Sequence, residues 1–262
     1  MSTVDSESSS NSQGERKRAS IAAPSASLAT TWPGMDLTSY PGDAVMQSWW
    51  NNSPFYFTGF YLAPAPDHTD TSWMTKRSTL ASQGWGFGIL YVGRQEGWSN
   101  LTFAQGETDA ENGVSLAQSA GFPEHAILFL DIESGGTLPT NLLDYINGWA
   151  TGLSLDGRYE AGVYCNSSSA AQIEAYVSPA PLTFWCVNVN CSPSPGCTVP
   201  SGDLEPSSSG YAAALIWQYA QSPEPLGVTC SGYTAGNCQK TYGGNSLNVD
   251  LDTSTSYNPS QG

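Results

Sequence analysis

AILFLDIESGG, residues 126–136, opens with five apolar residues, places acids at Asp131 and Glu133, and breaks on Ser134-Gly135-Gly136. An apolar run of this length ended by a glycine pair marks a strand covered on both faces. Residues two apart on a strand share a face, with Cα atoms ~6–7 Å apart. The two acids therefore project together from the strand's C-terminal end. Buried like charges are costly unless paired or used. Crowding also raises one carboxyl's pKa, as a general acid working near neutral pH requires. A D-x-E motif that merely capped a strand would meet a lysine, an arginine or a helix N-terminus. After residue 30 the chain has 20 acids and only five bases, Lys76, Arg77, Arg94, Arg158 and Lys240, so salt-bridge partners are scarce.

The flanking sequence alternates β-rich runs with helical stretches, as parallel βα units do. The strands expected are Gly34–Leu37, Phe55–Leu62, Gly86–Val92, Ala126–Ile132, Tyr159–Cys165, Leu182–Val189, Ala213–Tyr219 and Ser246–Leu251. Helices are expected at about 43–51, 71–83, 108–120, 139–154 and 167–177, each beginning near a plausible cap or first-turn residue. Beyond about residue 177 the helical pattern stops, and two Cys/Gly-rich loops (190–210 and 220–245) separate the last strands. The fold class expected is α/β: an irregular TIM-type (β/α) barrel of five βα units followed by three strands without regular helices. A length of 262 residues suits one barrel of about 250. Residues 1–30 read as a disordered Ser-rich tail and 31–262 as the barrel domain.

In such barrels the working groups lie where strands end and βα loops begin. The first strand delivers Asp36, the fourth Asp131 and Glu133, the seventh Trp217, Gln218 and Tyr219, and the last Asp250 and Asp252. These define one pocket: Glu133 and Asp131 for catalysis, with Asp36, Asp250, Trp217, Gln218, Tyr219 and Tyr91 for substrate binding. Aromatic faces suit the apolar faces of sugar rings, although a strand tryptophan or tyrosine is more often a core residue. Glycoside hydrolysis needs one carboxyl to protonate the leaving oxygen and a second to support the anomeric carbon. No GxSxG elbow, GxGxxG turn or P-loop is present. His68 lies in an acidic loop and His125 at the start of the fourth strand, neither beside a catalytic partner.

Composition narrows the partners. Charged residues are 12% of the chain, against about 25% in an average protein. The formal net charge is −15, which repels phosphate backbones and anionic lipid, whereas a glycan is admissible. No apolar stretch of about 18 residues is present, so no membrane span is expected. The six cysteines, all beyond residue 164, suit two or three short disulfides and an oxidising compartment. With no CxxC and two histidines, neither a metal nor a cofactor is expected. The N-terminal 30 residues have no signal-peptide core, yet the disulfides point to an extracellular or cell-wall-associated monomer.

GMDLTSYPGDAVMQSWWNNSPFYFTGFYL, GFGILYVGRQ, AILFLDIE, EAGVYC, IWQYA and NVDLD, in that order, are similar to the glycoside-hydrolase-like domain of actinobacterial cell-wall proteins. That domain is related to glycoside hydrolase family 25, the Chalaropsis-type lysozymes. The resemblance covers about residues 32–254 and implies five βα units followed by three strands. It implies Glu133 as proton donor and Asp131 as stabiliser of an intermediate formed with help from the substrate's N-acetyl group. Asp36 and Asp250 match the further pocket aspartates. The bond implied joins N-acetylmuramic acid to N-acetylglucosamine. The two cysteine-bearing loops depart from the family pattern and bear on substrate identity. Three functions follow as expectations: a muramidase-like hydrolase, a non-catalytic glycan-binding barrel, or an exported effector whose N-terminal tail directs loading.

Overall fold

The computed structural model describes residues 31–177, 180–228, 230, 233 and 236–261. The expected disordered tail, residues 1–30, lies outside the described residues. Strands β1 (Trp32–Asp36), β2 (Phe57–Tyr61), β3 (Gly86–Val92), β4 (Ile127–Asp131), β5 (Glu160–Asn166), β6 (Thr183–Val187), β7 (Ala214–Ala220) and β10 (Asp250–Ser254) close into a barrel. Its order is β1-β10-β7-β6-β5-β4-β3-β2. Between β7 and β10, a hairpin of β8 (Gln239–Tyr242) and β9 (Asn245–Asn248) forms a separate two-stranded sheet. Five helices follow the first five strands: α1 (Asp43–Asn52), α2 (Arg77–Gln83), α3 (Phe103–Ala120), α4 (Thr140–Asp156) and α5 (Ser167–Tyr176). The eight barrel strands and five helices are those the sequence implied.

Three details differ. First, the last barrel strand runs antiparallel to both neighbours, β1 and β7. The run Ser246–Leu251 is therefore not one strand but β9 and the start of β10. The hairpin turn is Gly243-Gly244, both with positive φ (55° and 79°), which a two-residue turn between twisted strands favours. Second, α3 begins at Phe103 rather than near 108, because the Thr102 side chain accepts the Gln105 N–H and sets the cap there. Third, α2 is confined to Arg77–Gln83, and the residues before it form turns around buried Trp73.

The lumen is filled by rings set opposite glycines. A Cβ at Gly34 would strike the Phe57 ring, one at Gly88 the Trp185 ring, and one at Gly162 the Phe129 ring. Alternation along each strand then places Asp36, Tyr61, Asp131 and Tyr164 on the same inner face as these rings, one or two steps toward the strand ends. Outer faces pack against the helices, as Tyr91 does on Trp149 of α4, the rings stacked at 5.0 Å.

Two disulfides are present among the described residues, Cys191–Cys230 and Cys197–Cys238. They are not short: each joins residues 39 or 41 apart in sequence. The cysteines follow β6 and β7, which pair as parallel neighbours, so both bonds run between the loops that leave these two strands. Cys165 and Cys186 are free, buried, and face each other in register across β5 and β6. No helix among the described residues is long and apolar enough to cross a membrane.

Candidate active site

At the end of the barrel where β1 to β7 finish, β10 begins. Its reversed direction puts Asp250 opposite Asp36 in the β1–β10 ladder, and Asp252 opposite Gly34 one layer deeper. An aspartate at a strand start thus joins aspartates at strand ends. Asp131 closes the set from β4, where its register partners are Val92 and Tyr164. Glu133 lies two residues beyond Asp131 and is exposed.

Each buried carboxyl has different support. Tyr61 donates from its hydroxyl to Asp36 Oδ1 at 2.7 Å. Asp250 receives Gln218 Nε2 at 2.5 Å and the Ser222 backbone N–H at 2.7 Å. The Tyr164 hydroxyl donates in turn to Gln218 Oε1. Trp185 Nε1 donates to Asp252 Oδ1 at 3.1 Å. The remaining oxygens of Asp36 and Asp252 are buried with no hydrogen-bond donor. The two carboxyls interact with each other in the lumen. Asp131, 6% exposed, has no donor to its Oδ1.

The electrostatics follow from burial among like charges. Desolvation, then the charges of Glu133, Asp36 and Asp67, hold the Asp131 carboxyl well above the ordinary carboxylate range. Burial and the Asp36 charge raise Asp250, against the pull of the Ser222 N–H and Gln218. Burial also raises Asp36, which Tyr61 and Asp252 partly oppose, and it raises Asp252 well above the usual range. Each buried carboxyl here thus keeps its proton to higher pH than an ordinary carboxylate does. The mouth sets such groups beside the exposed Glu133, a pairing suited to acid–base chemistry.

The five predicted carboxyl and amide residues Asp36, Asp131, Glu133, Gln218 and Asp250 converge here; the three aromatic ones do not. Trp217 is fully buried, on the face of β7 opposite Gln218, with its Nε1 donating to the Asn188 carbonyl at 2.9 Å. Tyr219, 1% exposed, shares that outer face. Tyr91 points outward as well, its hydroxyl on Asn112 Oδ1 at 3.0 Å. None can offer a ring to a ligand in the lumen. This corrects their assignment to substrate binding.

Other residues enter that sequence reasoning missed. Gln95, after β3, accepts the Glu133 backbone N–H at 3.0 Å and donates to the Asp131 carbonyl at 3.0 Å, clamping the peptide between the acids. Its loop is anchored by Arg94, which grips Asp109 of α3 at 2.8 Å, while Tyr145 of α4 donates to the same carboxylate. His68 also lies at this end, its ring 5.1 Å from that of Tyr61. Tyr61 and Trp185 are donors to the carboxyls. The one sequence hint for Tyr164 was its place near a strand end; Gln95 sits in a polar loop and left none. A separate cavity of about 350 Å³ opens at the opposite end of the barrel, lined by residues including Leu153, Tyr159, Glu160 and Thr183. It holds none of these carboxyls.

Residues 47–253 match the model of a family described as Rv2525c-like, glycoside hydrolase-like domain. No curated protein matches the chain. Among solved structures, the Clostridium perfringens spore cortex lytic enzyme SleM is similar with a TM-score of 0.57 and 14% identity, over 88% of this chain and 70% of that one. The Mycobacterium tuberculosis Tat-secreted protein Rv2525c, in complex with L-tartrate, gives 0.53 and 15% over 84% and 94%. A family 25 glycosyl hydrolase from Bacillus anthracis gives 0.52 and 15% over 85% and 88%. At such identities the likeness is one of fold.

Proposed function

The chain belongs to the Rv2525c-like, glycoside hydrolase-like domain family, and from that premise we propose that it hydrolyses glycosidic bonds in peptidoglycan or a related amino-sugar polymer. The observation that carries this reading is the pairing of exposed Glu133 with buried Asp131 at the barrel mouth, their intervening peptide clamped by Gln95. Glu133, open to the groove, protonates the departing oxygen. Asp131, shielded from water, stabilises the positive charge that develops at the anomeric carbon, where a low-dielectric setting strengthens its effect. Asp36, Asp250 and Gln218 fix the ring that the mouth receives. The spore cortex lytic enzyme and the family 25 glycosyl hydrolase among the similar structures support the substrate class. Two disulfides favour work outside the cell or in its wall.

A second reading, a glycan-binding barrel without turnover, is favoured by the unpartnered Asp131 Oδ1, since a catalytic carboxylate is ordinarily held by donors. Reducing-end release from purified cell wall separates the two. The wild type should release sugar, and Glu133→Gln should lower the rate by about 10²–10⁴. Saturable glycan binding with wild type and variant equally inert would remove the hydrolase and leave the binder.

A further inference from the structure

The rings that the barrel strands set near the mouth are already committed. Tyr61, Tyr164 and Trp185 are buried and spend their polar atoms on Asp36, Gln218 and Asp252. On the loops that leave β1 and β3, Tyr40 and Trp98 each carry a cation, Lys76 at 5.3 Å and Arg94 at 5.8 Å from the ring centre. The loop that leaves β7 differs. Its Ser222 N–H donates to Asp250 Oδ1 at 2.7 Å, so the loop begins against a mouth carboxyl. One residue earlier, the Gln221 N–H donates to the Tyr233 hydroxyl oxygen at 3.0 Å. Tyr233 is thereby held close to Asp250. Burial, with the nearby charges of Glu224 and Asp250, keeps its phenol above the ordinary range, against the pull of the Gln221 N–H. The ring packs against the core and remains partly exposed.

We propose, resting on the amino-sugar reading above, that Tyr233 is a glycan-contacting platform of this site, its ring receiving the apolar face of the β-linked hexosamine unit seated beside Asp250. Asp250 offers acceptors to sugar hydroxyls, and the ring supplies apolar surface that carboxyls and amides do not. The Tyr233 oxygen accepts a backbone N–H, so its own proton is available for a sugar oxygen. Tyr233 falls between Cys230 and Cys238, which are bonded to Cys191 and Cys197 of the loop leaving β6. The Cys238 N–H donates to Ser222 Oγ at 3.2 Å, and the Val249 N–H donates to the Cys238 carbonyl at 3.2 Å. The segment that carries the ring is therefore tied to the chain on both sides of it, and through Ser222 and Val249 to Asp250 itself. A ring fixed before binding costs less entropy to engage than one on a free loop. The two cysteine-bearing loops thus act on the substrate through this one side chain.

The test is isothermal titration of the whole protein with two probes, the β-1,4 trimer of N-acetylglucosamine and a peptidoglycan tetrasaccharide. Wild type is compared with Tyr233→Leu and Tyr233→Phe. Leucine keeps apolar bulk without a flat ring, whereas phenylalanine keeps the ring without the hydroxyl. Tyr233→Leu should bind the better probe about tenfold more weakly. Tyr233→Phe should bring affinity back to within about threefold of wild type, since the ring carries most of the contact. Peptide mapping of the Cys191–Cys230 and Cys197–Cys238 bonds checks that the loop is intact in each variant. Tyr233→Leu binding as tightly as wild type overturns the platform and leaves the glycan reading standing. Equal weakening in both variants overturns it as well, because the hydroxyl would then serve only to anchor the loop. If wild type binds neither probe, the glycan reading falls and this inference falls with it.

Discussion

Asp252 lies against Asp36 in the lumen, wholly buried, with Trp185 donating to its other oxygen. Its folded pKa stands well above the ordinary carboxylate range, chiefly through burial and then through the charges of Asp36 and Asp250. The folded chain therefore keeps this proton at pH values where the unfolded chain has released it. Stability from such a group is fully present below the unfolded pKa and is lost as pH rises through the folded one. Asp131 and Asp250 act in the same direction. The lowered pKa values of Asp43, Asp70 and Asp156 act oppositely, but these groups face solvent and contribute little. The melting temperature should accordingly fall between about pH 4 and pH 8, read by calorimetry across that range. Asp252→Asn, whose amide stays neutral and can donate to Asp36, should flatten the slope. Asp252→Ala should instead cost about 1–3 kcal/mol, because Asp36 and Trp185 lose a buried partner.

Helices α3 and α4 meet through glycines, and there the usual helix rule changes sign. In an exposed helix, Gly→Ala stabilises by about 1 kcal/mol. A Cβ at Gly148 would lie 2.0 Å from the Phe103 carbonyl oxygen, and one at Gly106 would lie 2.1 Å from that of Tyr145. Backbone at that distance yields only if the helices separate. Gly148→Ala should therefore destabilise by about 1–3 kcal/mol, measured by chemical denaturation. Separation would also shift Tyr145, which shares Asp109 with Arg94 and so anchors the loop that carries Gln95. Glycan cleavage should fall with stability in that variant. Thr102→Ala touches the same helix but only its cap, and should cost about 1 kcal/mol without altering the site.

The whole barrel is closed by one reversed strand, and the loops on either side of β7 are tied to each other by two disulfides whose spans overlap in sequence, 191–230 and 197–238. Reduction should lower the melting temperature, with each bond contributing about 2–4 kcal/mol. Alkylation of the unreduced, denatured protein should label Cys165 and Cys186 alone, read by peptide mass spectrometry. A net charge of −15 with few bases also places the chain under self-repulsion. Moderate salt should raise its melting temperature, read by calorimetry at two ionic strengths.

The elements and the acid positions were legible in the sequence because each depends on local pattern. Apolar runs bounded by glycine define β3 and β4, and D-x-E at the end of one of them marks Asp131 and Glu133. Asp36 and Asp250 were legible for the same reason. The direction of β10 was not, since a strand's pattern reads alike in either sense, and only closure of the barrel laid it antiparallel between β1 and β7. Nor could pattern tell which face of β3 and β7 looks inward. Strands buried on both sides carry no hydrophobic alternation, so Tyr91, Trp217 and Tyr219 looked as available as Gln218. The sequence by itself thus determined which strands form and which acids stand at their ends. Tertiary packing alone decided which side chains share the lumen, that Asp36 and Asp252 interact there, and that the lysines and arginines among the described residues are engaged elsewhere. Those outcomes depend on contacts between residues far apart in the chain, whose geometry exists only once the barrel has closed.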